Sequence, residues 1–237
     1  MFMRTLLKRS LPEPARRTIK LKLWDLSLRK AIEPLRRTGN FTGPELNAFW
    51  QAWGNQGFSA DKRYLQETIR LIEENRGAVL ECGTGATTVI AGVLAERYGF
   101  HVYSLEQDPA WSSKASRAIV RNGLNRVHII DAPLKRFGDC MWYDPGKASV
   151  PDRIGLIICD GPYIAQELGE PVYSSWRYGV LRYLLDNKIE FGALLLDDVN
   201  DPRAPAVLSR WKREFGITYE LIHTDEGDCS VVRIPSR

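Results

Sequence analysis

Acidic residues close five successive apolar runs of this chain. Glu81 ends the first run, Glu106 the second, Asp131 the third, Asp160 the fourth, and Asp197 with Asp198 the fifth. A carboxylate can accept hydrogen bonds from sugar hydroxyls, balance a cationic ligand, take a proton from an acceptor, or ligate a hard divalent cation. One such acid could equally cap a helix or face solvent. Five in succession describe a rim, because ligands of open α/β sheets bind beyond the carboxyl ends of the strands, where strand order reverses.

The first acid opens a turn that reads Glu81-Cys82-Gly83-Thr84-Gly85-Ala86-Thr87-Thr88. Glycines between a strand and a helix allow a tight turn and close ligand approach. Glu106 follows Gly83 by 23 residues, the distance at which a second-strand acid meets ribose hydroxyls. A nicotinamide dinucleotide and S-adenosylmethionine both satisfy this much. The dinucleotide fingerprint asks for a third small residue where this chain has Thr88, and Glu81 would repel a pyrophosphate. An acid suits a cofactor carrying an ammonium and a sulfonium, so S-adenosylmethionine is expected. An NAD(P)-binding Rossmann oxidoreductase is the alternative.

Methyl transfer to a hydroxyl needs a base or a metal ion, because the hydroxyl pKa is high. Asp160, followed by Gly161-Pro162, stands where an acceptor would lie and is the candidate catalytic base. Asp160, Asp197 and Asp198 from neighbouring strand ends form a donor set suited to Mg²⁺. Tyr143, Asp144, Tyr163, Tyr173, Trp176, Arg177 and Tyr178 occupy the long connections after the third and fourth strands. They could stack on a sugar or ring and hold an anionic group, or simply pack. His101, His128 and His223 read as core or strand residues rather than bases, and no GxSxG, HExxH or GxxxxGK[ST] motif is present.

The elements that must position these residues follow from periodicity. From Gly77, the runs "AVLEC", "HVYSLE", "VHIID", "IGLIICD", "ALLLDD", "ITYELIH" and "CSVVRIP" read as strands, with helices at 88–97 and 110–122. Continuous apolar runs indicate strands covered on both faces. The expected fold is α/β, a Rossmann-like doubly wound, mostly parallel seven-stranded sheet. "TDEGD" joins the last two runs as a C-terminal antiparallel hairpin. Residues 61–75 read as a helix and 41–60 as an aromatic, Gly-rich entry loop.

Residues 1–40 form a basic helical arm preceding a domain at 41–237. The arm holds eleven Lys or Arg against Glu13, Asp25 and Glu33, a net +8, which leaves −4 on the remainder of a chain of net charge +4. From Thr18 to Arg37, Leu21, Trp24, Leu28, Ile32 and Leu35 mark one helix face, and Lys20, Lys22, Arg29, Lys30 and Arg37 the other. Pro12 and Pro14 should interrupt a helix near the start, and Pro34 should disturb its last turn. The basic face is open to solvent, to a membrane surface or to nucleic acid; a transit peptide is a further option. Four scattered cysteines and the lack of an apolar run of membrane-spanning length suit a cytoplasmic protein, with peripheral membrane contact left open.

The segments "VLECGTGATT", "VYSLEQDPAW", "VHIIDAPL" and "LIICDGP" resemble the successive motifs of class I S-adenosylmethionine-dependent methyltransferases across about residues 50–235. The fourth-strand "DG" and fifth-strand "DD" are similar to the macrocin O-methyltransferase-like group. The resemblance implies that Glu81, Gly83 and Gly85 line the methionine and ribose portion, Glu106 the ribose, and Asp131 with Ala132 the adenine, with Cys82, Thr84 and Gln107 as further cofactor-binding candidates. Asp160 would border the cofactor, and Gly57 with Phe58 would cover it. It also implies a divalent metal at Asp160, Asp197 and Asp198, although "GPYIAQELGEPVYSSWRYG" departs from the usual segment after the fourth-strand acid. The expected reaction is O-methylation of a hydroxylated small molecule or glycan. A nucleic-acid methyltransferase using the basic arm is a second alternative.

Overall fold

The computed structural model describes residues 12–39, 43–54, 60–146, 148–164, 176–224 and 227–235. The chain forms two compact units, Met1–Gly54 and Asn55–Arg237. The first holds α1 (Glu13–Thr38) and α2 (Pro44–Trp53). The second holds α3 (Lys62–Glu74), β1 (Val79–Cys82), α4 (Ala86–Tyr98), β2 (Val102–Glu106), α5 (Pro109–Arg121), β3 (Val127–Asp131), β4 (Leu134–Phe137), β5 (Cys140–Tyr143), β6 (Arg153–Cys159), α6 (Gly179–Asp186), β7 (Glu190–Leu196), α7 (Ala204–Phe215), β8 (Thr218–His223) and β9 (Asp228–Arg233).

In the first unit, α1 begins at Glu13 rather than Thr18. Pro14 falls in the first turn, where a missing N–H costs nothing, and Pro34 does not end the helix. Leu28, Ile32 and Leu35 are buried, as the spacing predicts, and Trp24 Nε1 donates to the Trp53 carbonyl at 3.1 Å. Leu21 is exposed, so the packed stripe is shorter than its sequence pattern. The second difference is α2, where a loop was expected. Gly43-Pro44 starts it, and Leu46, Phe49 and Trp53 bury one face at helical spacing.

In the second unit, all seven expected strands form one sheet, ordered β3-β2-β1-β6-β7-β9-β8. The first five run parallel, and β9 pairs antiparallel with both β7 and β8. Strand order therefore reverses between β1 and β6, which is where a ligand site belongs. Side chains alternate between the faces of a strand. Leu80 and Cys82 join a core with Trp142, Tyr178, Leu181, Leu184, Val207 and Trp211, beneath α6, α7 and the β4–β5 hairpin. Val79 and Glu81 point to the opposite face, beneath α4.

The hairpin of β4 and β5 is an addition that the apolar runs did not disclose. Its two-residue loop is Gly138-Asp139, with Gly138 at φ +60°, the left-handed backbone that tight hairpin turns demand.

Candidate functional site

At the switch point, the turn after β1 and the turn after β6 are fastened together. The amides of Asp160 and Gly161 both donate to the Cys82 carbonyl, at 3.2 and 2.6 Å. Gly83 has φ +95°, and a Cβ there would lie 3.0 Å from the Gly161 amide nitrogen. A Cβ at Gly161 would collide with the buried Tyr143 hydroxyl. Both glycines are thus required by the chain itself. Gly85 is different: its φ of −169° is open to any residue, and a Cβ there would meet only Thr87 Oγ1, at 3.9 Å. Among the described residues, only the Thr87 hydroxyl borders the space beside Gly85 at the start of α4.

Glu81 lies beneath this turn, not on its face. It is fully buried and accepts hydrogen bonds from Thr87 Oγ1 at 2.5 Å, Thr88 Oγ1 at 2.6 Å and Ser104 Oγ at 2.5 Å. Strand parity is the reason, since Glu81 pairs in register with Ser104 and turns toward α4. Burial pushes its carboxyl up to about 7, and the three hydroxyls oppose that rise only in part. Both Glu81 oxygens thus support the turn through these hydroxyls. Thr88, which departs from the dinucleotide pattern, is one of those supports and also accepts from the Gly85 amide at 2.8 Å.

Glu106 occupies the tip of β2 and is nearly buried. One oxygen accepts from Thr84 N and Thr84 Oγ1, both at 2.7 Å, and the other from Gln107 N and Asp108 N, both at 2.8 Å. Three of these donors are fixed backbone amides, while the Thr84 hydroxyl can rotate away. Gln107 Nε2 donates across the site to the Tyr163 carbonyl at 2.8 Å. Gln107 Oε1 is buried without a hydrogen-bond partner among the described residues. Asp131 pairs in register with Glu106 and is exposed, and the buried Ala132 donates its amide to the Glu106 carbonyl. Gly57 and Phe58 lie outside the described residues, as does Tyr173.

On the other side of the switch point, Asp160, Asp197 and Asp198 do converge, with one carboxylate oxygen from each lying within 4.8 Å of the others. Arg177 stands among them. Its Nη2 donates to Asp198 Oδ2 at 2.6 Å, to Asp160 Oδ1 at 3.3 Å and to the Asp160 carbonyl, while Nη1 donates to the Asp197 carbonyl. The Arg177 side chain is only 7% exposed. Burial lifts the Asp160 carboxyl above its ordinary value; the Arg177 charge pulls it back and Asp198 pushes it up. Burial lifts Asp197 well above its ordinary value, reinforced by Asp160 and Asp198 against Arg177.

The donor set suits a divalent ion such as Mg²⁺, and Arg177 already engages two of its carboxylates, at Asp160 Oδ1 and Asp198 Oδ2. Arg177, one of the residues that could hold an anionic group or simply pack, is engaged with these acids. Trp176 and Tyr178 are likewise core residues, as is Tyr143. Tyr163 is 83% exposed and remains available to an acceptor. His128 and His223 sit on strands and His101 just before one, but all three are exposed rather than core. His101 Nδ1 and His128 Nε2 face each other at 2.9 Å.

No family model matches the chain, and no curated protein matches it in sequence. Solved structures do match in fold. The SAH-bound methyltransferase PaMTH1 of Podospora anserina aligns with a TM-score of 0.55 at 14% identity, over 95% of this chain and 98% of that one. A Klebsiella pneumoniae protein assigned as an O-methyltransferase aligns with a TM-score of 0.51 at 15% identity, over 98% and 96%. The N-terminal domain of human METTL16 aligns with a TM-score of 0.50 at 15% identity, over 81% and 82%. At identities this low the likeness concerns the fold: this chain has the Rossmann-like α/β architecture of these methyltransferase structures.

Proposed function

We propose that this protein is an S-adenosylmethionine-dependent methyltransferase that O-methylates a hydroxylated small molecule or glycan. The observation that carries the reading is Gln107 Oε1, a buried acceptor without a partner among the described residues, beside Glu106 at the switch point. A buried acceptor left unpaired costs about 1–3 kcal/mol, so a ligand donor is the natural complement. The adenine amino group supplies one. Glu106 would take the ribose diol in place of the Thr84 hydroxyl, and the space at Gly85 would admit the remainder. When bound, the cofactor supplies the activated methyl group. Asp160, at the start of the adjoining turn, would accept the proton of the acceptor hydroxyl.

Calorimetry tests this directly. S-adenosylhomocysteine should bind and NAD should not; NAD binding with no response to S-adenosylhomocysteine would overturn the reading. Glu106→Ala should weaken the cofactor by about 1.5–3 kcal/mol, the range for hydrogen bonds to a charged group.

For the arm we propose docking on an anionic membrane surface. Ile19, Leu23 and Leu26 recur at helical spacing on the face of α1 opposite Leu28, Ile32 and Leu35, and are 44%, 54% and 56% exposed. Lys20, Lys22, Arg29 and Lys30 surround that stripe, so α1 presents apolar anchors within a positive field. Among the described residues, no helix is long and apolar enough to cross a membrane. The full chain should float with phosphatidylglycerol-containing vesicles at low salt and not with phosphatidylcholine alone, and Leu23→Asp with Leu26→Asp should abolish flotation. Failure to float with anionic vesicles, together with a salt-sensitive RNA gel shift, would overturn it in favour of nucleic acid.

A further inference from the structure

We propose that the Arg177 guanidinium is the resident cation of the Asp160–Asp197–Asp198 cluster, occupying the place of a divalent ion and making the site metal-independent. The inference rests on occupancy. Mg²⁺ or Mn²⁺ binding by these acids would draw oxygens of all three onto one ion at about 2.0–2.2 Å. Arg177 Nη2 already bridges Asp198 Oδ2 and Asp160 Oδ1, and the two guanidinium nitrogens also reach the carbonyls of Asp160 and Asp197. One planar group thus satisfies four acceptors from two strand ends. Guanidinium suits that task better than ammonium, because its donors lie in a fixed fork and it is more weakly hydrated.

Two further features hold it there. Asp198 adopts φ +53°, a left-handed backbone uncommon outside glycine, which turns its carboxylate back toward Arg177. Arg177 itself lies between Trp176 and Tyr178, which are 4% and 1% exposed, so its backbone is anchored in the core. A metal ion would have to expel a buried, fourfold hydrogen-bonded cation. Resting also on the methyltransferase reading, the proposal narrows the acceptor. Without a metal clamp, the acceptor need not offer two adjacent oxygens for chelation; one hydroxyl within reach of Asp160 suffices. Arg177, being committed, does not anchor an acidic substituent.

Manganese binding, read by electron paramagnetic resonance on the full chain, provides the test. The wild type should bind no Mn²⁺ at this cluster at millimolar concentration, and EDTA should leave turnover unchanged. Arg177→Met should gain one Mn²⁺ per chain, with a rise in melting temperature on adding the ion, and Asp198→Asn in that background should remove the gain. Arg177→Lys keeps a cation in place and should gain none. Stoichiometric Mn²⁺ on the wild type that disappears in Asp198→Asn would overturn the proposal, as would a folded Arg177→Met protein that binds none. Should Arg177→Met fail to fold, the wild-type and Arg177→Lys titrations decide alone. S-adenosylhomocysteine calorimetry without manganese reports separately on the cofactor reading.

Discussion

Two acidic assemblies flank the switch point, one buried and one partly exposed, and they are stabilised in opposite ways. Glu81 is met by three neutral hydroxyls and no cation. The Asp160 cluster is met by a guanidinium. Hydroxyl dipoles stabilise a carboxylate less than a full charge does, so burial prevails at Glu81 and its carboxyl rises to about 7. At the cluster, burial also raises the Asp160 and Asp197 carboxyls, and the Arg177 charge opposes that rise at both. The same residue chemistry at neighbouring strand ends thus yields a support that can carry a proton beside neutrality and a cluster countered by a fixed cation. What separates them is the partner.

Removing that partner should have the largest effect. Arg177→Met leaves three carboxylates uncompensated and should destabilise the fold by about 3–5 kcal/mol at pH 8 without metal, measured by urea unfolding. The loss should shrink on acidification as the carboxylates take up protons. An Arg177→Met protein as stable as wild type at pH 8 would erase the contrast.

The next effect belongs to Glu81. Its pKa is raised on folding, from an ordinary 4.5 to about 7, so its contribution is complete below about 4.5 and is lost as pH rises through about 7. Wild-type stability should therefore fall across that window by about 3 kcal/mol, at about 1.4 kcal/mol per pH unit. Glu81→Gln should flatten the fall, because the amide keeps the shape without ionising. Denaturant midpoints from pH 4 to 8 for both proteins would check it; parallel curves would place the ionisation elsewhere.

Asp198→Asn should be the mildest. Its side chain is 56% exposed, so solvent screens its pairing with Arg177, and Asp160 with two carbonyls still holds the guanidinium. A loss within about 1 kcal/mol is expected from urea unfolding. A loss as large as that of Arg177→Met would make the exposed pair, rather than the buried contacts, the anchor.

The seven strands and the helices between them were legible because burial on both faces leaves continuous apolar runs. The β4–β5 hairpin was not, since "LKRF" is half charged and its first strand is largely exposed. The Gly138-Asp139 pair was the available signal. The entry segment hid α2 because glycines flank a ten-residue helix whose aromatic content suggested a loop. At the site, the convergence of Asp160, Asp197 and Asp198 could be read from strand adjacency. The roles of Glu81 and Arg177 could not. Glu81 sits one residue before the end of β1, and its direction follows from parity, which pairs it with Ser104. Arg177 is separated from Asp160 and Asp198 by 17 and 21 residues of chain, and only the tertiary return of that connection reveals which way it points.

The double attachment of Asp160 and Gly161 to the Cys82 carbonyl has a mechanical consequence. The turn after β1 and the loop bearing Asp160 behave as a single yoke, since neither can lift without breaking two hydrogen bonds and separating two glycine backbones in contact. Opening for ligand exchange must then come from segments hinged elsewhere. The amide proton of Gly161 should exchange with solvent only when the central strands open as a unit, among the slowest in the chain.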